Sequence, residues 1–200
     1  MISTGNISRR QALQGSLLLP LVAGESSPAA STEADTAGRS TTVLVAYFTR
    51  TDNTRLIATQ VARALDATLF QIVPAAAYPE DYEAQVAQAE DERQRGYEPP
   101  LQAMVPDIGS YETVFLGFPI WGMTAPSVIR SFLSRHDLSG KTLVPFITHG
   151  GYGLGNSLAV VAEHAPNARL IDGFSKQCDQ ERETLREVTQ WLTSVETDVQ

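Results

Sequence analysis

Thr49, Thr51, Asn53 and Thr54 crowd a single junction, where the apolar run at residues 43–48 gives way at once to a helical pattern. Short hydroxyl and amide side chains at such a junction sit where a helix leaves its first N–H groups unpaired and its dipole is positive. That combination suits a phosphate. The junction has no lysine, and neither Gly-x-x-x-x-Gly-Lys-Ser/Thr nor Gly-x-Gly-x-x-Gly is present. A triphosphate loop and a dinucleotide fingerprint are therefore excluded, and a monophosphate held by hydroxyls and amides remains. An ordinary strand–helix turn capped by Thr or Asn is the plainer alternative.

Two further loops carry unusual residues. In Gly117-Phe-Pro-Ile-Trp-Gly-Met-Thr-Ala-Pro126, Trp121 stands between a rigid proline and a glycine. An indole there can stack on a planar ligand or simply cover the end of a sheet. Thr148-His-Gly-Gly-Tyr-Gly-Leu-Gly155 is glycine-rich around Tyr152, fit either to wrap a flat ring edge or to act as a linker. His149 is the candidate acid–base group, with a hydrogen-bonding role as the plainer reading; His136 and His164 fall near helix ends.

Elements that position these loops follow from hydrophobic period. Continuous apolar runs predict strands at residues 43–48, 68–73, 113–118 and 142–148, with a short fifth at 169–171. Helical spacing predicts helices over 54–65, 81–95, 126–133, 155–165 and 179–195. The second has a thin apolar face and is expected to lie exposed, and Asp179 is expected to cap the last. Strict alternation implies an α/β fold: a doubly wound, five-stranded parallel sheet with helices on both faces. In such sheets ligands bind beyond the carboxyl ends of the strands, which is where all three loops fall.

Composition narrows the functional classes. Two hundred residues at 42% hydrophobic content support one core. A net charge of −8, from 23 acids against 15 bases, argues against nucleic-acid binding, while an acidic face could steer a basic protein partner. The lone Cys178 excludes an internal disulfide and a cysteine-based metal cluster.

Ser8-Arg-Arg-Gln-Ala-Leu-Gln14, followed by an apolar run over 17–24 and a Ser/Ala/Pro/Thr-rich stretch, resembles a twin-arginine export signal. The run is shorter than the ~20 residues that span a bilayer, so stable membrane insertion is not expected. The expected organisation is a signal at 1–30, a linker at 31–40 and one domain at 41–200, exported to the periplasm or another extracytoplasmic space.

Taken in order, Tyr47-Phe-Thr-Arg-Thr-Asp-Asn-Thr54, Tyr78-Pro-Glu-Asp-Tyr82, Phe118-Pro-Ile-Trp-Gly-Met-Thr-Ala-Pro126, Leu138-Ser-Gly-Lys141 and the 148–155 loop resemble a flavodoxin-like protein of the short-chain type. The resemblance spans residues 42–195. It implies strand order 2-1-3-4-5 and non-covalent FMN. Thr49, Arg50, Thr51, Asn53 and Thr54 would hold the phosphate. Pro119, Ile120, Trp121, Gly122 and Met123 would line the isoalloxazine. Thr148, His149, Gly150, Gly151, Tyr152 and Gly153 would contact its pyrimidine side. Two departures stand out: Asp52 where the family commonly has Gly, and Trp121-Gly122-Met123 where it often reads Trp-Trp-Gly. The expected function is FMN-dependent electron transfer. Its partner would be a redox protein or a small-molecule electron acceptor. A nicotinamide-oxidising, quinone-type reductase is the alternative, for which the helical 78–96 region could roof an acceptor pocket, and a flavin-free receiver-like module the second. The receiver would want an acid at the end of the first strand, where Tyr47-Phe48-Thr49 supplies none.

Overall fold

The structure, a computed structural model, describes residues 42–177 and 181–199. The export-signal and linker segments, Cys178 and Asp179 lie outside the described residues. Strands β1 (Val43–Tyr47), β2 (Thr68–Gln71), β3 (Thr113–Pro119), β4 (Thr142–His149), β5 (Arg169–Leu170) and β6 (Phe174–Gln177) form one parallel sheet. Their order is β2-β1-β3-β4-β5, with β6 also on β4. The helices are α1 (Asn53–Ala64), α2 (Tyr82–Arg95), α3 (Ser127–Arg135), α4 (Ser157–His164) and α5 (Glu181–Val199).

The sheet buries both faces, which is why β1, β3 and β4 read as unbroken apolar runs. On one face Ile57 and Val61 of α1 and Val188 and Leu192 of α5 pack against Phe115 and Phe146. On the other, Val128, Ile129 and Phe132 of α3 and Val160 and Val161 of α4 pack against Leu116 and Phe118.

The fifth strand position differs from expectation. The predicted strand at 169–171 is only the first half, Arg169–Leu170; a second half, Phe174–Gln177, follows. Pro145 explains the break. Ile171 N–H donates to Leu143 O, so Leu143 faces the outer strand, and Pro145 two residues on faces the same way without an N–H to offer. Thr142 pairs with Arg169 and Phe146 with Phe174, so four steps along β4 match five along the outer strand, a β-bulge. Gly173 lies in the bulge, where an added Cβ would sit 2.0 Å from Pro145 O.

Helix α2 begins one residue after its predicted start and ends where predicted. Asp81 accepts from Ala84 N–H at 2.8 Å, and Gly96 closes it at φ 60°. Its placement is unusual. Leu101, Val105, Ile108 and Tyr111, from the segment after α2, cover the sheet face beside α3. The helix itself reaches over the carboxyl-end loops, next to residues 50–51 and 119–122. Its buried side chains are the polar Gln85 and Glu92, while Tyr82 and Val86 are exposed.

That covering segment is fastened by two groups. The buried Lys141 donates to Tyr111 O at 2.5 Å, which gives the Leu138-Ser-Gly-Lys141 motif a structural task. His136 accepts from Val105 N–H at 3.0 Å through Nε2 and pairs through Nδ1 with Phe132 O at 2.8 Å, which fixes its neutral tautomer.

Two outcomes test these contacts. Gly173→Ala forces its methyl onto backbone, so urea unfolding is expected to show a loss of about 1–3 kcal/mol. Burial pushes His136 below its usual range. The unfolded chain therefore takes up a proton near pH ~6.5 that the folded chain refuses, and stability falls as pH drops from there toward the lowered folded value. His136→Ala is expected to cost about 1–3 kcal/mol at neutral pH and to flatten that part of the profile.

Candidate functional site

The first loop opens after Phe48 N–H donates to Gly117 O at 2.8 Å. The chain turns through Thr49, Arg50 and Thr51 and enters α1 at Asp52, whose φ of 64° is left-handed. Glycine adopts that region freely and Asp tolerates it, which accounts for an acid in a place that suits Gly. Its carboxylate points to Arg55, meeting Nε at 2.9 Å and Nη2 at 3.1 Å, and makes no cap bond to the helix. The helical ladder starts only with Leu56 N–H on Asp52 O. The N–H groups of Asn53, Thr54 and Arg55 are thus left without intrahelical acceptors or a side-chain cap.

Arg50, Thr51 and Asn53 are exposed and Thr49 half-buried. Asn53 Nδ2 donates to Thr51 Oγ1 at 3.4 Å. Thr54 is buried, its hydroxyl 2.9 Å from that of buried Thr148, so its side chain is partly committed inward.

The second loop is a tight reverse turn. Trp121 N–H donates to Thr124 O at 3.1 Å and Thr124 N–H to Trp121 O at 3.3 Å, with Gly122 at φ 58° and Met123 at φ 64°. Two consecutive positive φ values make the mirror-image turn, in which Met123 bears strain that Gly122 escapes. Ile120 N–H on Thr148 O, at 2.9 Å, ties this loop to the end of β4. The half-buried Trp121 meets Phe48 and Tyr78 edge-on, with ring centroids 5.2 and 4.8 Å away. Tyr78 OH donates to Glu92 Oε2 at 2.8 Å, and Gln88 Nε2 to Glu92 Oε1 at 2.9 Å. Burial first, then the bond to Glu92, pushes the Tyr78 hydroxyl far above its usual range, so it remains a donor.

In the third loop, Gly151 (φ 114°), Gly153 (φ 81°) and Gly155 (φ 55°) bend the chain around Tyr152, which is 86% exposed. His149 is half-buried, and its Nδ1 accepts from Gly151 N–H at 3.1 Å, the hydrogen-bonding role. Gly150 is exposed and Gly153 half-buried. A Cβ at Gly155 would fall 1.8 Å from Met123 O, which also accepts from Asn156 N–H at 3.1 Å. The second and third loops therefore lie in direct contact.

The first and second loops share a cleft. Arg50 and Thr51 line it together with Pro119, Ile120, Trp121 and Gly122, and one side of α2 forms the opposite wall; its volume is about 270 Å³. An adjoining cleft of about 430 Å³, lined by Phe48, Thr49, Ile72, Tyr78 and Pro79, shares Arg50 and Trp121. The 78–96 region thus does wall a pocket, as expected of it; what sequence reasoning missed is Arg93, which shares a single helical face with Tyr82, Val86 and Ala89. His136 and His164 lie away from both clefts. Among the described residues there is no His/Cys/Asp/Glu group able to hold a metal, and no helix long and apolar enough to cross a membrane.

Fold and site together define a doubly wound α/β protein with its clefts at the carboxyl ends of a parallel sheet. The chain belongs to the flavodoxin family, whose model, described as Flavodoxin, matches residues 42–195. Among solved structures it is similar to a protein from Bacteroides eggerthii described as a flavoprotein, at 32% identity and TM-score 0.66, over 76% of this chain and 96% of that one. A second such protein, from Bacteroides uniformis, is 30% identical at TM-score 0.67, over 76% and 97%. A flavoprotein from Lactobacillus acidophilus, solved in complex with FMN, shares the fold at 18% identity and TM-score 0.61, over 74% and 97%. Comparison with curated proteins returns no match.

Asp52→Gly tests the entry to α1. It removes the left-handed cost and only an exposed ion pair, so stability is expected to rise by up to about 1 kcal/mol in urea unfolding.

Proposed function

We propose that this chain binds FMN without a covalent bond and transfers electrons, and that it is exported already folded. The observation that carries the reading is the uncapped start of α1 opening beside the cleft that it shares with Trp121. The residues fit the group: free N–H donors, exposed Thr51 and Asn53, and the Arg50 guanidinium suit a phosphate dianion. The one acid at the loop, Asp52, is neutralised by Arg55.

In this reading Thr49, Arg50, Thr51 and Asn53 hold the phosphate with side chains and backbone, and Thr54 contributes its N–H, since its hydroxyl is engaged by Thr148. Pro119, Ile120, Trp121, Gly122 and Met123 form the wall for the ring. The flexible glycines around Tyr152, with Thr148 and His149 below them, follow the ring's polar edge. Bound there, FMN supplies one- and two-electron chemistry, while the protein sets its access and potential. The Glu92–Tyr78 bond and the Phe48 contact hold Trp121 in one orientation. An export route that carries folded proteins agrees with a cofactor loaded before transport.

A reductase serving a small-molecule acceptor is the second reading. It is favoured by α2, which walls the cleft and leaves a space the size of a small molecule. Steady-state oxidation of a reduced nicotinamide with a quinone separates the two.

Purified protein is expected to be yellow and to release FMN on acid treatment; a colourless protein that takes up no added FMN would overturn the proposal. Asn53→Asp gives a sharper test, because its two effects have opposite signs. A carboxylate in the first turn stabilises the helix by about 0.3–1 kcal/mol. The same charge repels a phosphate, and FMN affinity is expected to fall at least about tenfold. Unchanged FMN affinity would remove the phosphate from this helix end.

A further inference from the structure

Helix α2 turns its apolar residues outward. Gln85 and Glu92 are its buried side chains, whereas Tyr82 is 66% and Val86 43% exposed. Tyr82, Val86, Ala89 and Arg93 recur at helical spacing along one side, and that side faces Pro119, Ile120 and Trp121 across the 270 Å³ cleft. An exposed apolar stripe facing an indole across a gap marks a binding wall rather than a solvated surface.

The charges of the cleft fix the sign of its ligand. Arg93 is half-buried and pairs with no acid among the described residues. Its guanidinium lies against the Gly122 backbone, where an added Cβ would be 2.4 Å from Nη1. Arg50 is held in place, donating to Glu80 O at 2.9 Å and standing 5.8 Å from the Tyr82 ring centroid. The one carboxylate along the wall, exposed Glu90, takes a hydrogen bond from Gln94 at 3.1 Å. With Arg50 assigned to the phosphate, the Arg93 guanidinium in a chain with net charge −8 selects an anion from a surface that otherwise repels it.

We propose that the α2 side of this cleft binds a planar aromatic anion of one or two rings. The ring would lie against Tyr82, Val86 and Ala89, and the acid group would be taken by Arg93, since Arg50 is engaged by the flavin phosphate. The inference rests on the FMN reading in one respect: the ligand would sit beside the flavin and names the class of small molecule the site serves. The adjoining 430 Å³ cleft, which shares Arg50 and Trp121, leaves room for a second ring system next to the first.

The probe is naphthalene-2-sulfonate, titrated by calorimetry into the full chain with and without FMN, with naphthalene-2-sulfonamide as the neutral control. Saturable binding of the sulfonate is expected, stronger than that of the sulfonamide. Arg93→Gln should weaken the sulfonate about tenfold and leave the sulfonamide unchanged. Val86→Asp should abolish both, and neither substitution should alter FMN content. Absence of saturable binding, or binding indifferent to Arg93→Gln, overturns the proposal. Binding abolished by saturating FMN also overturns it, because the cleft would then belong wholly to the flavin. If the chain retains no FMN but binds the sulfonate through Arg93, the anion site stands and the flavin reading falls. Retained FMN without sulfonate binding gives the reverse.

Discussion

A buried hydroxyl pair, Thr54 Oγ1 to Thr148 Oγ1 at 2.9 Å, joins the start of α1 to the end of β4. The two residues lie 94 positions apart, yet the rest of the site is measured from their contact. It sets how far the helix terminus stands from the sheet edge. Through Ile120 N–H on Thr148 O it also sets the height of the Trp121 turn. Parallel order then brings all three loops out at one end, and the contact between Gly155 and Met123 completes the chain of fixed distances. Pre-set spacing of this kind lowers the ordering cost of binding a rigid ligand.

Much of this was legible because parallel strands buried on both faces write themselves as apolar runs. Strands β1, β3 and β4 fall within a residue or two of their predicted limits, and α2 starts one residue after its predicted start and ends where predicted. The sheet order expected from the family resemblance also holds. The outer strand was half-missed because Phe174-Ser-Lys-Gln has no apolar run, only Phe174 packing on the core. Pro145 was the available warning, since a proline inside a central strand must leave a gap in a neighbour's ladder.

The thin apolar face of α2 signals exposure, as expected, and the helix does wall a cleft; which loops it faces was beyond periodicity. Only tertiary structure reveals that the segment carrying Leu101 and Val105 takes the sheet face in its place. Asp52 shows the converse. It departs from the glycine the family commonly has there, and its left-handed backbone and its pairing with Arg55 are local facts that a sequence does not display.

The bulge at Gly173 divides the fastening of the molecule's last segment. Beyond it, β6 holds to the tail of β4, and Trp191 of α5 leans on Phe174 and Phe115 with ring centroids 5.2 and 5.8 Å away. The ladder that would otherwise carry cooperativity across the outer edge is interrupted at one residue. Past that interruption the last segment is secured twice over, by the four backbone pairs of β6 on β4 and by Val188, Leu192 and Val195 of α5 wedged among Ile57 and Val61 of α1, so the outer edge is pinned from the helix side where its ladder lapses.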